Sequence, residues 1–405
     1  MTLSRLLTPS LFTRLAPLAL PLALMSGCSS EELLDDGELF DVEETGKADS
    51  FNSNTNPIEL IKLVNGMPTL KADELAPSAD VGKTISVPTD NKPFSSDYWP
   101  MAKNGILNRW MSPITPSPAE KYGTLFLDAA QQKTMYDWIQ KNHGKDVPGV
   151  QSWFGICQGW TGSAIMEKTP QKTISVRKYV RDGRTYLQKC TTPASDCTSF
   201  SPGDLTGLMA EAYAAADATF IGYRCDTAKV NFKYDKNGRI VQPNCRSNAG
   251  TLFLTATNFI KKAGRSFAVN AVNNDEVWNQ PAHQYAISQY KTVTKREATV
   301  AVDPAETRDY PWNTAAVGFR RVTMKLDWAV ETAPTTNTAP PLISQGKTYD
   351  FILELDATGA VIGGEWVGSS KTEHIPFFWA PTAPGAEVPY LYPSYVRALL
   401  NISRM

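Results

Sequence analysis

Gln151 to Trp160 reads QSWFGICQGW. Cys157 lies two positions after Gly155 and six after Gln151, and it opens the stretch CQGWTGSAIMEK, which puts Trp160, Ala164 and Ile165 on one helical face. A thiol at a helix N-terminus meets the positive end of the macrodipole, which favours the thiolate, the form that attacks acyl carbon. The competing fates are a disulfide, or an inert thiol in the core.

Counting cysteines narrows the choice. With Cys28 set aside for the leader discussed below, five remain: Cys157, Cys190, Cys197, Cys225 and Cys245. Cys190 and Cys197 bracket the short loop KCTTPASDC, and Cys225 and Cys245 bracket a segment with a hairpin turn at Asp235-Lys236-Asn237-Gly238. Both pairs are locally closable, although spacing alone does not dictate connectivity. Cys157 is the one left over.

The elements around it fall into two halves. From Asn91 to Tyr122 the chain is aromatic and proline-marked, and Leu125 to His143 has helical spacing. TISVRKYVRDGRTYLQKC is strand-like with a turn at Asp182-Gly183. SPGDLTGLMAEAYAAADATFIGYRC reads as one helix capped near Ser201 or Asp204, and GTLFLTATNFIKKAG as another, followed by SFAVN. VTMKLDWAVET, KTYDFILELD and AVIGGEWVG alternate in the manner of strands, the last two joined at Asp356-Ala357-Thr358-Gly359, so Val300 to Trp366 is expected to form an antiparallel sheet. The fold class is α+β. A helix-rich region, 58–298, carries the cysteine, and a β-rich region, 299–405, closes over it.

The first 28 residues have Arg5 and Arg14, an apolar run from Leu15 to Met25, and small residues before Cys28, the pattern of a secretory leader. Its MSGC ending resembles a bacterial lipobox, which implies lipidation at Cys28. Ser29 after the cysteine favours the outer membrane or cell surface. Residues 29–57 carry nine acids against one lysine, too charged and too poor in aromatics to order, and read as a tether. Export implies an oxidising compartment. The net charge of −1 gives no reason to expect nucleic acid, and the anchor is the one expected membrane contact. No Cys/His set is spaced for zinc and no Dx[DN]xDG-type loop marks calcium, so no cofactor is expected, calcium staying open as an accessory ion.

SWFGICQGW, PGDLTGLMAEAY, DEVWNQPAHQY (275–285) and YDFILELDATGAVIGGEWVGSSKTEHIPFFW (349–379), with FSSDYWP and SPAEKYG, together resemble the transglutaminase elicitor family, oomycete wall transglutaminases and their bacterial relatives. The resemblance runs from about Pro93 to Trp379, and the VWNQP and GGEWVG blocks are its specific parts. It implies a papain- or transglutaminase-like helical half and a thiol acyltransferase. Cys157 would attack the γ-carboxamide of a protein glutamine, ammonia would leave, and a lysine or other amine would resolve the thioester. The Gln–Cys spacing resembles that of papain-like enzymes, which implies an oxyanion role for Gln151. Trp153, Trp160 and Trp278 would wall the channel for the amine stem. The family pattern implies a histidine at or next to Phe253 and an aspartate at Asn270. With phenylalanine in that place, His283 is the candidate base and Asn270 its orienting partner, His374 being the other candidate and His143 the third histidine. Two further functions compete: a catalytically degenerate surface protein with a binding role, which the missing histidine favours, and a papain-like peptidase or amidase in which water replaces the amine.

Overall fold

The computed structural model describes Ser4–Arg5 and residues 51–405, apart from 53, 65–67, 193 and 386. The rest of the leader 1–28, Cys28 included, and the tether as far as residue 50 lie outside the described residues.

The helices are α1 (Ile58–Ile61), α2 (Ala72–Leu75), α3 (Pro118–Phe126), α4 (Ala129–Asn142), α5 (Cys157–Met166), α6 (Pro202–Ala212), α7 (Ala249–Ala256), α8 (Lys295–Val302), α9 (Ser370–Glu373) and α10 (Pro393–Arg404). The strands are β1 (Ser4–Arg5), β2 (Thr84–Ser86), β3 (Ile174–Arg181), β4 (Arg184–Lys189), β5 (Thr198–Phe200), β6 (Asp217–Gly222), β7 (Phe267–Asn270), β8 (Asn279–Val293), β9 (Gly318–Ala329), β10 (Ser344–Leu355), β11 (Val361–Trp366) and β12 (Phe377–Ala383). Four strands form a small sheet ordered β1-β4-β3-β5. Eight form the main sheet, β11-β10-β9-β8-β7-β12-β6, with β2 added to β8. Every pairing is antiparallel. The result is α+β, but the boundary expected at residue 298 is not respected by the sheet. β2, β6, β7 and β8 precede it, because the strand-rich runs 217–222 and 279–293 complete the same hydrogen-bonded array as β9–β11.

Local chemistry explains most starts and stops. Capping boxes begin α3 (Ser117 with Glu120), α4 (Asp128 with Gln131), α6 (Ser201 with Asp204) and α8 (Thr294 with Glu297), and proline at the first position supports α3 and α6. The single helix expected from Ser201 to Cys225 ends at Ala212. The β-branched and aromatic run Thr219-Phe220-Ile221 instead pairs with β12. Likewise Val300 belongs to α8 and not to a strand. The β3–β4 hairpin turns at Asp182 and Gly183, both at positive φ (50° and 69°), the pair of left-handed residues that a tight hairpin needs.

Helices α3–α6 and α10 share one core with Trp99, Phe154, Trp160 and Leu208, and α1, α2 and α7 share a second with Phe259 and the sheet residues Phe267 and Phe351. α5 lies at the centre of the first core, with every residue from Cys157 to Ala164 buried. It touches α6 at Gly159, where an added Cβ would lie 2.0 Å from the Ala210 carbonyl oxygen. On its sheet side Thr161 Oγ1 donates to the Asn279 carbonyl at 2.7 Å. Because that clash is with backbone, Gly159→Ala must push the helices apart. We expect a loss of about 1–3 kcal/mol, read as a lower urea midpoint, together with slower alkylation of Cys157. An unchanged midpoint would contradict this close approach.

Candidate active site

Cys157 is the one free cysteine among the described residues, buried, while disulfides close Cys190–Cys197 and Cys225–Cys245. Its helix begins without a side-chain cap, Ile156 standing at the N-cap. The bend that delivers the chain to this point is held by Ile156 N–H donating to the Tyr98 carbonyl at 2.8 Å. Gly155 is required there, since a Cβ would lie 2.5 Å from the Tyr98 carbonyl oxygen.

The group facing the sulfur is Asn279, the first residue of β8. Its Nδ2 lies 3.6 Å from Sγ, and the Val277 carbonyl lies 3.7 Å from the same sulfur. Trp379 of β12 donates its Nε1 to Asn279 Oδ1 at 2.9 Å. With the oxygen occupied in this way, the amide must turn its N–H toward sulfur. Asn279 and Trp379 are almost wholly buried, 3 % and 2 % exposed. A donor aimed at sulfur favours thiolate over thiol, and it is also placed to serve an oxyanion formed on an acyl carbon bonded to that sulfur. Neither residue was singled out from the sequence, although both lie inside motifs quoted above, VWNQP and HIPFFW.

None of the three histidines meets Cys157. His283 sits four residues along β8 from Asn279, about 13 Å of extended chain. There its Nε2 is 2.7 Å from Ser344 Oγ, its Nδ1 is buried without a partner among the described residues, and burial depresses it to about 4. His374 stacks on Trp366 at 5.2 Å with its ring nitrogens 3.0 Å from the Ser370 and Cys245 carbonyls, and burial likewise depresses it to about 4. His143 lies 2.6 Å from Glu211. Burial alone would favour its neutral form, but the carboxylate and their hydrogen bond outweigh that and hold the ring above its ordinary value. The base expected at His283 is therefore bound elsewhere, and Asn270 does not orient it. Asn270 pairs with Asn279 across β7–β8, and its Oδ1 accepts the Trp278 backbone N–H at 2.8 Å, fixing the turn that presents Val277 and Asn279 to the sulfur. Phe253 is core, stacked with Tyr290 at 6.4 Å.

The remaining expected residues divide. Gln151 is exposed and its Oε1 accepts Trp153 Nε1 at 2.8 Å, a bond that does not engage its Nε2, the group an oxyanion would need. Trp160 is fully buried with its Nε1 on the Phe94 carbonyl at 3.0 Å, a core residue and not a channel wall. Trp153 and Trp278 are half-buried, and Trp278 meets Tyr98 edge-on at 5.7 Å. Among the described residues no cluster of three His, Cys, Asp or Glu side chains could hold a metal.

Replacing Asn279 by leucine keeps bulk beside the sulfur and removes the donor. We expect iodoacetamide to alkylate Cys157 about five- to tenfold more slowly at fixed pH, from the loss of one hydrogen bond to a charged group. An unchanged rate would mean that the amide does not support the thiolate.

The sequence profile of the family described as "Transglutaminase elicitor" matches residues 140–390. No curated protein matches the chain. Among solved structures, the GP42 transglutaminase from Phytophthora sojae shares the fold, with a TM-score of 0.61 at 24% identity over 87% of this chain and 98% of that one.

Proposed function

Since the chain belongs to the transglutaminase elicitor family, we propose that it is a thiol acyltransferase in which Cys157 takes the acyl group of a protein glutamine and passes it to a primary amine. The observation that carries this reading is the buried free thiol at the start of α5 with an amide donor, Asn279, turned onto it by Trp379. The sulfur would bond to the γ-carboxamide carbon as its C–N bond breaks, the thiol proton passing to the nitrogen that leaves as ammonia. The amine would then bond to the same carbon as the C–S bond breaks, its proton returning to the sulfur. Protein glutamine and lysine are the proposed substrates, and no metal is assigned a step. Export belongs to the proposal as well. Two closed disulfides fit an oxidising compartment, and no helix among the described residues is long and apolar enough to cross a membrane.

A second reading, the fold kept for binding without turnover, is favoured by one observation: an asparagine faces the sulfur, and an amide cannot take up a proton. Incubating the wild-type chain with a glutamine-rich protein and a fluorescent primary amine, with and without calcium, separates the two. Incorporation above that of iodoacetamide-treated protein supports transfer, and none under any condition sinks it. Ammonia release without amine uptake would mark an amidase instead.

A further inference from the structure

Three segments converge beside the Cys157 site. Thr332 N–H donates to the Ser96 carbonyl at 3.0 Å, which brings the adjoining residues Asp97 and Glu331 alongside each other. Gln280, next to Asn279 on β8, donates Nε2 to Glu331 Oε1 at 2.6 Å. Gln280 is 3 % exposed, and its own Oε1, at the same amide end, has no hydrogen-bond partner among the described residues. Asp97 Oδ1 accepts the Trp99 backbone N–H at 3.1 Å. Neither carboxylate has a lysine or arginine within ion-pair distance among the described residues, although the charge of Lys103 acts on Asp97 from farther off, and both residues are half-buried.

Tyr98 links this group to the thiol. Its carbonyl holds the Cys157 bend, its ring meets Trp278, and its hydroxyl is pushed above its ordinary value by burial and then by the charges of Asp97, Glu331 and Cys157. Burial, reinforced at Glu331 by the charge of Asp97, also raises both carboxyls. Two carboxylates and an orphaned amide oxygen are thus gathered with one side-chain donor, Gln280 Nε2, among them. The complement is a compact cation with several N–H groups, which a primary ammonium supplies and which the faces of Tyr98 and Trp278 also favour.

We propose that Asp97, Glu331 and Gln280 Oε1 form the docking position for the primary ammonium of the acyl acceptor, a lysine side chain or an alkyl amine. The word acceptor rests on the transfer reading above, but the docking can be measured without turnover. The probe is cadaverine, titrated calorimetrically into the whole wild-type chain and into Asp97→Asn and Glu331→Gln, with pentanol and calcium chloride as parallel titrants. Both substitutions are isosteric and remove mutual repulsion, so each variant should melt no lower than wild type, and either one alone suffices for the test. Cadaverine should bind wild type, each substitution should weaken it about tenfold or more, and pentanol should not bind. Equal binding by wild type and variants, no binding by wild type, or binding of calcium in place of cadaverine would overturn the proposal. Loss of the docking effect with Cys157-dependent ammonia release intact removes this inference alone. Intact docking in a chain that releases no ammonia removes the transfer reading and leaves an ammonium-binding site.

Discussion

Cys157→Ala is expected to bring amine incorporation down to the level of a protein-free blank. The nucleophile forms the covalent intermediate, so its loss does not merely slow a step but removes the pathway, and losses of about a thousandfold or more are usual for such residues. The substitution is otherwise mild. It deletes one buried sulfur facing Asn279 and Val277, a cavity smaller than a Leu→Ala change leaves, for which about 1 kcal/mol of stability is a fair expectation. Activity and melting should therefore separate: signal gone, unfolding midpoint nearly kept. Incorporation persisting in the alanine variant would place the nucleophile elsewhere, and none of the other described cysteines is free to serve.

The largest effect on stability is expected at Asp204→Ala. Asp204 is fully buried and does three things at once. Its Oδ2 accepts Lys121 Nζ at 2.6 Å and both the backbone N–H and hydroxyl of Ser201 at 2.8 Å, while Oδ1 accepts Trp110 Nε1 at 3.1 Å. Removing it takes away the Asp204 half of the α6 capping box while Ser201 still caps, orphans an indole N–H, and leaves Lys121, itself 8 % exposed, without its counter-charge. An uncompensated buried charge costs about 3–5 kcal/mol. Lys121→Met should cost less, about 2 kcal/mol, because Asp204 keeps the Ser201 and Trp110 donors and the positive end of α6. Urea unfolding of the two variants gives the order. A cost below that of Lys121→Met would mean that the cap and the pair do not cooperate. Since α6 backs α5 through Gly159, the same variant is expected to loosen the seat of the thiol.

How much of this could be read from residue order differs by kind of interaction. The caps at Ser117, Asp128 and Ser201 obey rules three residues long, and the helix start at Cys157 and the two short disulfide loops are also local, so they are legible in sequence. The cap at Thr294 was equally legible, yet the β-branched run after it masked α8. Cys157 meets Asn279 122 residues away, and Asn279 meets Trp379 a further 100 away. Those contacts depend on the order β8-β7-β12 in the sheet, which no window of sequence contains. His283 misled for a related reason. It is near Asn279 in sequence, but strand geometry carries it along β8 to Ser344. Trp160 followed its helical face into the core, where the sole clue to a channel was its closeness to the cysteine.

The two disulfides also bear on how a reactive thiol survives its own folding. Cys190 and Cys197 are 7 residues apart and Cys225 and Cys245 are 20 apart, whereas 33 residues separate Cys157 from Cys190, its nearest neighbour among these four. Closing a 33-residue loop costs about 1.4 kcal/mol more than closing a 7-residue one, close to a tenfold handicap in an unfolded chain. Each of the four other cysteines therefore finds its proper mate sooner than it finds Cys157. Spacing along the chain does for the nascent protein what burial does for the finished one: it keeps the fifth sulfur unoxidised while the others are being joined.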